Sequence, residues 1–256
     1  MPIKILSFDV GIKNLAYCIL SLDNNIYNIY DWGIINLTED IIESNNNSNI
    51  DTEFIMNYKK IKINELKDYM KKYGINIEGK KKDLINNCES FLKSKKLLKL
   101  KKCKNMKLSD IGKTLYTNLD KYKEFHNVDY ILIENQPVLK NPTMKSIQIM
   151  IFSYFIMKNF VDNDNNVISD ILLISARNKL KVYDGPDITN NFKLSNQYAL
   201  TKKLAIEYCK YMINHDKEKL DFFLNHSKKD DLADSFLQGA YYLKTNPKLK
   251  KIEKSA

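Results

Sequence analysis

Residues 3–22 read IKILSFDVGIKNLAYCILSL, and the two apolar runs of this stretch, parted by a turn, decide the fold. Ile3 to Val10 is a mostly apolar run of strand length, Gly11 to Asn14 a turn, and Leu15 to Leu22 a second run rich in apolar and aromatic residues. The segment is therefore a β-hairpin. Asn24 and Asn25 make the next turn, and Ile26 to Ile35, with its Tyr, Ile and Trp residues, suits a third strand in the same antiparallel sheet. Near the exit of the first strand stands Asp9. A carboxylate without a partner in such apolar surroundings costs several kcal/mol. A divalent cation would offset that cost, and Gly11 would let the backbone turn closely around a bound phosphate. An aspartate that caps the turn is the alternative, and a lone Asp-x-Gly does not separate the two.

The rest of the chain extends this beginning into an α/β domain. Leu37 to Asn57 is polar, with the low-complexity linker Glu43 to Asn49 inside it, and marks a domain boundary. Between Ile61 and Leu92 two short helical patterns flank a Gly-containing turn, and basic residues continue from Lys93 to Lys107. Leu108 to Phe125 returns to a helical period, Tyr130 to Ile133 is a short β-branched run, and Thr143 to Phe160 is a strongly apolar helix after Pro142. Following a polar turn at Asn163 to Asn166, Ile171 to Ser175 is another strand, Gln197 to Ile213 a helix and Asp230 to Leu243 the last helix. Three strands followed by alternating helix and strand predict a mixed sheet flanked by helices.

Bulk properties narrow the function. The 256 residues suffice for one substantial core and a small accessory domain, and 44% hydrophobic content excludes disorder along the whole length. A net charge of +10 favours a polyanionic partner without naming it. The four cysteines, Cys18, Cys88, Cys103 and Cys209, are scattered with no Cys-x-x-Cys pair, which speaks against a zinc site or a disulfide framework and for reduced, intracellular thiols. No apolar run approaches the roughly 20 residues a bilayer requires, and the N-terminus opens on a strand pattern rather than a signal peptide. A soluble protein inside the cell, with no membrane partner, is expected.

Three more acids repeat the logic of Asp9. Glu134 ends the run Tyr130 to Ile133, so a second strand delivers a carboxylate at its exit, where α/β folds build their sites. Asp231 and Asp234, three apart, share one face of the last helix, with Asp230 outside that pair. One of the three is expected to serve the helix N-terminus. Two Mg²⁺ ions about 3.5–4 Å apart need several carboxylates converging on one spot. Asp9, Glu134, Asp231 and Asp234 would supply that set, one ion activating water and the other stabilising a leaving 3′ oxygen.

In this order, the stretches Phe8 to Ala16, Ile133 to Gln136 and Lys229 to Ser235 resemble the resolvase branch of the ribonuclease H-like superfamily. The likeness is to poxvirus and large-DNA-virus resolvases and their bacterial and fungal mitochondrial relatives. It implies a ribonuclease H-like α/β fold with a five-stranded mixed sheet, Mg²⁺-dependent cleavage of four-way DNA junctions (Mn²⁺ being an alternative metal), and a homodimer. It also implies a lysine after the fourth core strand near the scissile phosphate. Lys181 is the expected residue, with Lys179 close behind, and Lys13 and Gln136 are further DNA contacts. The apolar helix Met144 to Phe160 is available for a dimer interface, although core packing accounts for the same stripe.

A second likeness is independent of the first. Ile61 to Ile75, followed by Gly79 to Ile85, resembles a SAP motif, a helix-turn-helix module that binds duplex DNA. Lys80, Lys81 and Lys82 would meet phosphates at the start of its second helix. The implied organisation is a core in two parts, residues 1–50 and 108–256, interrupted by a DNA-binding module at 51–107. Where cellular, such a protein would work in a mitochondrion; where viral, in a viral factory, the host cytoplasm or the nucleus. Two other functions fit parts of the pattern: a non-catalytic SAP-type DNA-binding protein, and an RNA–DNA hybrid ribonuclease of the same fold. An actin-like ATPase or sugar kinase is disfavoured, because it needs a second phosphate-binding Asp-x-Gly turn at the exit of a later strand, and no later strand pattern ends in one.

Overall fold

The computed structural model describes residues 2–37, 50–95, 107–139, 141–161, 168–189, 192, 196–247 and 249. The expected linker at Glu43 to Asn49, the polar turn at Asn163 to Asn166 and most of the basic run from Lys93 to Lys107 lie outside the described residues. The chain divides into two compact units, Met1–Thr38 with Met106–Ala256, and Glu39–Asn105.

In the larger unit β1 (Lys4–Val10), β2 (Asn14–Asp23) and β3 (Ile26–Asn36) form an antiparallel meander. Strands β2 and β3 are joined by Asn24 and Asn25 alone, at φ 48° and 63°, the left-handed pair that a two-residue hairpin matched to strand twist demands. On the other side β4 (Tyr130–Glu134) pairs in parallel with β1, and β5 (Asp170–Ile174) in parallel with β4. The sheet is mixed, in the order β3-β2-β1-β4-β5.

The smaller unit holds α1 (Thr52–Asn57), α2 (Ile63–Lys72) and α3 (Lys81–Ser94) around its own core of Phe54, Tyr58, Leu66, Met70, Leu84, Cys88 and Leu92. Gly79, at φ +104°, turns the chain into α3, and a Cβ there would meet the Asp83 Cβ at 2.8 Å. Asp83 closes the helix start by accepting from the Lys80 backbone N–H at 2.9 Å. Lys80, Lys81 and Lys82 are all exposed.

The helices of the larger unit are α4 (Leu108–Leu119), α5 (Pro142–Ile156), α6 (Gln197–Met212), α7 (Lys217–Asn225) and α8 (Lys229–Thr245). Strand alternation sorts them onto two faces. Leu6, Phe8, Val10, Ile131 and Ile133 pack with α4 and α5 through Ile111, Leu115, Ile147, Ile151 and Phe155. Ile5, Cys18, Leu20 and Leu132 pack on the opposite face with α6 and α8 through Leu204, Leu232, Phe236 and Leu237. Each fully buried Leu, Ile or Phe among these contributes about 1.5–3 kcal/mol relative to exposure. Helix α8 comes so near the sheet at Gly239 that a Cβ would lie 2.7 Å from the Leu20 Cδ2 and 3.2 Å from the Ser7 Cβ. Gln238 fixes its register by donating to the Ser7 Oγ at 3.1 Å and the Phe8 carbonyl at 3.2 Å.

Several elements depart from the sequence expectation. The helix expected over Leu108 to Phe125 stops at Leu119, and a 3₁₀ turn follows at Lys123–His126. There Asp120 accepts from the Tyr154 hydroxyl at 2.7 Å, a tertiary contact that no local signal announces. Three helices were not foreseen, the first being α1, which falls in the stretch expected to be a polar boundary. Helix α7 is capped by Asp216, which accepts from the Lys219 N–H at 3.0 Å, and is held by Phe223 stacked on Trp32. A 3₁₀ helix at Ala176–Val182 follows β5.

Candidate active site

The parallel pairing of β1 with β4 sets Phe8 beside Ile133, so one residue further each strand delivers its acid, Asp9 and Glu134. Both follow the parity of Ser7 and Leu132 and so belong to the face that α8 covers. Asp231 and Asp234 sit in the opening turns of α8, ahead of the Gln238 anchor. All four acids line one cavity of about 430 Å³, with Gly11, Lys13, Asn14, Gln136 and Lys179. Gly11 is required by the turn itself, since a Cβ would lie 2.5 Å from the Asn14 carbonyl oxygen.

Three of the acids are engaged by basic or amide partners. Lys179 Nζ is 2.6 Å from the Asp234 Oδ2. The Gln136 side-chain amide donates to the Glu134 Oε2 at 2.6 Å and to the Val10 carbonyl at 3.4 Å. Asn14 donates to the Asp231 Oδ2 at 3.2 Å. Burial, then the charges of Glu134 and Asp234, push the Asp9 carboxyl well above the usual carboxylate range, with Lys179 opposing. Burial also raises Asp234, against the pull of Lys179. For Lys179 burial works downward, and the charges of Asp234, Asp9 and Glu134 outweigh it, so its ammonium is held on.

The two candidate lysines are placed differently: Lys181 is exposed and outside the cavity, whereas Lys179 points among the acids. In the 3₁₀ helix at Ala176–Val182, three residues make a turn, so positions two apart face different directions. Lys13, Gln136 and Lys179 all line the cavity, while Lys80, Lys81 and Lys82 belong to the smaller unit. Asp230 does not line it and bonds Lys202 instead.

Other residues at the site carried no sequence signal. Asn14 reads as a turn residue, and Tyr198 and Lys202 lie in an ordinary helix pattern. Gln148, fully buried in α5, accepts from the Gln136 backbone N–H at 2.8 Å and so supports the partner of Glu134.

The donor set suits a hard divalent cation, because carboxylates offer only oxygen acceptors and here exceed the neighbouring positive charge. Among the described residues no group of three His, Cys, Asp or Glu side chains is already gathered so as to hold a metal ion. A cation in this cavity would compete with Lys179 for Asp234 and with Gln136 for Glu134. Among the described residues no helix is long and apolar enough to cross a membrane.

A family model described as the SAP domain matches residues 57–93. The Acanthamoeba polyphaga mimivirus protein named "Uncharacterized protein L451" is 31% identical over 314 aligned residues, covering 94% of this chain and 74% of that protein. Among solved structures, the yeast mitochondrial Holliday junction resolvase Ydc2 matches with a TM-score of 0.51 at 18% identity, over 99% of this chain and 85% of that chain. The fowlpox virus resolvase in complex with Holliday junction DNA matches with a TM-score of 0.44 at 18% identity, over 95% and 98%. The fold is thus of the ribonuclease H-like α/β type, a mixed five-stranded sheet flanked by helices, in a chain that carries a SAP domain. The chain belongs to the family of the mimivirus protein L451.

Proposed function

We propose that this protein is a structure-selective DNA endonuclease that resolves four-way junctions by metal-dependent phosphodiester hydrolysis during recombination or replication. The observation that carries this reading is the convergence of Asp9, Glu134, Asp231 and Asp234 on one cavity with Lys179 among them. Carboxylates repel phosphate unless cations intervene, so such a cavity in a basic, SAP-bearing protein suits metal-assisted attack on a nucleic acid. Two Mg²⁺ ions, or Mn²⁺ in their place, would supply an activated water and stabilise the leaving 3′ oxygen.

The chain's own residues supply the rest. Asp9, Glu134, Asp231 and Asp234 would hold the cations, and Gln136 keeps Glu134 turned into the cavity. Lys179 exchanges Asp234 for the scissile phosphate, whose charge its ammonium offsets. Exposed Lys13 meets the DNA backbone at the rim. Lys80, Lys81 and Lys82 contact a duplex arm. A homodimer would set two such sites across the two-fold symmetry of a junction. The likeness to Ydc2 supports the fold, and the choice of junctions over other nucleic acids is part of the proposal.

The test is a labelled four-way junction incubated with purified protein, with Mg²⁺ or with a chelator. Paired cuts in Mg²⁺, none in chelator, and binding without cutting by Asp9→Asn are expected. Because the SAP match alone would equally suit a non-catalytic DNA-binding protein, binding with no cleavage in either Mg²⁺ or Mn²⁺ would favour that reading instead. Preferential cutting of an RNA–DNA hybrid would favour a hybrid ribonuclease.

A further inference from the structure

The acid-lined cavity has a second positively charged wall. Lys202 and Tyr198, both on α6, reach it from a helix that supplies none of the acids. Their four-residue spacing puts them on one helix face, and the Lys202 Nζ lies over the Tyr198 ring, 5.2 Å from its centroid. Asp230 holds the same ammonium at 2.6 Å. The acid next to Asp231 is therefore committed to Lys202, and that accounts for a third aspartate at the start of α8. Despite the lysine above it, Tyr198 remains 68% exposed. The result is an aromatic ring at the rim of the cavity, braced by a cation that is itself braced by a carboxylate.

Resting on the endonuclease reading above, we propose that Tyr198 and Lys202 form a nucleotide subsite beside the acids. Tyr198 stacks on a base left unpaired next to the cut, and Lys202, positioned by Asp230, binds the adjoining backbone phosphate. Linear duplex DNA keeps its bases stacked on one another and offers a protein only groove edges and phosphates. A branch point interrupts that stacking, so an exposed ring within reach of the cleavage cavity responds to branched DNA and ignores linear duplex. Asp230 is a positioning residue, acting only through Lys202.

The experiment uses the full-length protein and a four-way junction carrying 2-aminopurine beside the branch point, with Ca²⁺ for binding and Mg²⁺ for single-turnover cleavage. The unsubstituted protein changes the 2-aminopurine fluorescence on binding. Tyr198→Ala removes that change and weakens junction affinity by about tenfold, the scale of one base–aromatic stack. Tyr198→Phe keeps both, because stacking needs the ring and not the hydroxyl. Lys202→Gln and Asp230→Asn each weaken junction binding, and the double variant is no worse than Lys202→Gln alone. Linear duplex affinity is unchanged by Tyr198→Ala. A protein that cuts junctions while Tyr198→Ala retains the full fluorescence change overturns the subsite and leaves the resolvase reading standing. Equal losses on linear and branched DNA overturn it as well. An unsubstituted protein that neither binds nor cuts junctions overturns the resolvase reading, and the subsite with it.

Discussion

Lys179 and Lys181 lie two positions apart, and only one of them faces the acids. Lys179→Gln is expected to slow single-turnover junction cleavage by about 100-fold or more, the scale of removing one preorganised charge donor, while Lys181→Gln stays within about twofold. The reverse ranking would show that the two exchange places when DNA binds. Asp9 supports a prediction with a readout other than activity. Since burial and neighbouring carboxylates raise the folded-state pKa of Asp9 and Asp234, the folded protein binds more protons than the unfolded chain between the ordinary carboxylate range and those raised values. Stability contributed by these groups therefore falls as pH rises through that window and is recovered below it. Asp9→Asn removes the penalty. It should raise the metal-free melting temperature at pH 7 by roughly 2–4 °C, corresponding to about 1 kcal/mol, and flatten the pH dependence. Added Mg²⁺ should stabilise the unsubstituted protein and do far less for the variant. A metal-free Asp9→Asn that melts lower would contradict the electrostatic account. The positions of the four acids were legible because strand exits and an i, i+3 helical spacing are local properties. Lys202 with Asp230 and Gln148 with Gln136 were not, since each pairing depends on how separate elements pack. That Lys179 rather than Lys181 would line the cavity was not legible for a third reason: the sequence offered no sign of a 3₁₀ phase after β5.

At the scale of elements, α5 shows how an apolar run divides between core and surface. The sequence reads as one helix to Phe160, but α5 ends at Ile156 and a wider π turn carries the chain to Val161. Ile151 is 0% exposed and packs in the core, so Ile151→Glu should unfold the unit rather than test an interface. Ile149 and Phe160, 43% and 49% exposed, carry the outward apolar surface. If this face joins two copies, Ile149→Glu with Phe160→Glu should yield a folded monomer by sedimentation, with normal circular dichroism and uncoordinated single nicks in the junction. A folded double variant that remains dimeric would move the interface elsewhere. The five strands were readable because short apolar, aromatic and β-branched runs and the Asn24-Asn25 turn are short-range signals. Helix α7 escaped for the opposite reason: Phe223 is buried by Trp32, far away in sequence.

For the whole molecule, the division into two units separates the roles that charge can play. Acids gather in the larger unit, where the proposed cations would sit, while the smaller unit exposes three consecutive lysines at the start of α3. Ammonium groups at a helix N-terminus oppose the macrodipole, and Asp83 is the only acid in that first turn. A phosphate bound there would reverse the sign of the interaction, since free N–H groups and lysines would then address the same anion. Replacing Lys80, Lys81 and Lys82 together by Gln in the full chain should therefore weaken duplex binding and flatten its salt dependence. Each phosphate that is no longer neutralised by a lysine lowers the log–log slope by about 0.9, so three such phosphates lower it by about 2.7. The substituted side chains are exposed and outside the core of their unit, so the fold should persist. Single-turnover cleavage at saturating protein should remain near the unsubstituted rate, because the acids and Lys179 are untouched. An unchanged slope would mean that these lysines do not hold DNA. A lowered cleavage rate at saturation would mean that the SAP domain does more than tether, setting the junction's geometry at the cavity as well as its affinity.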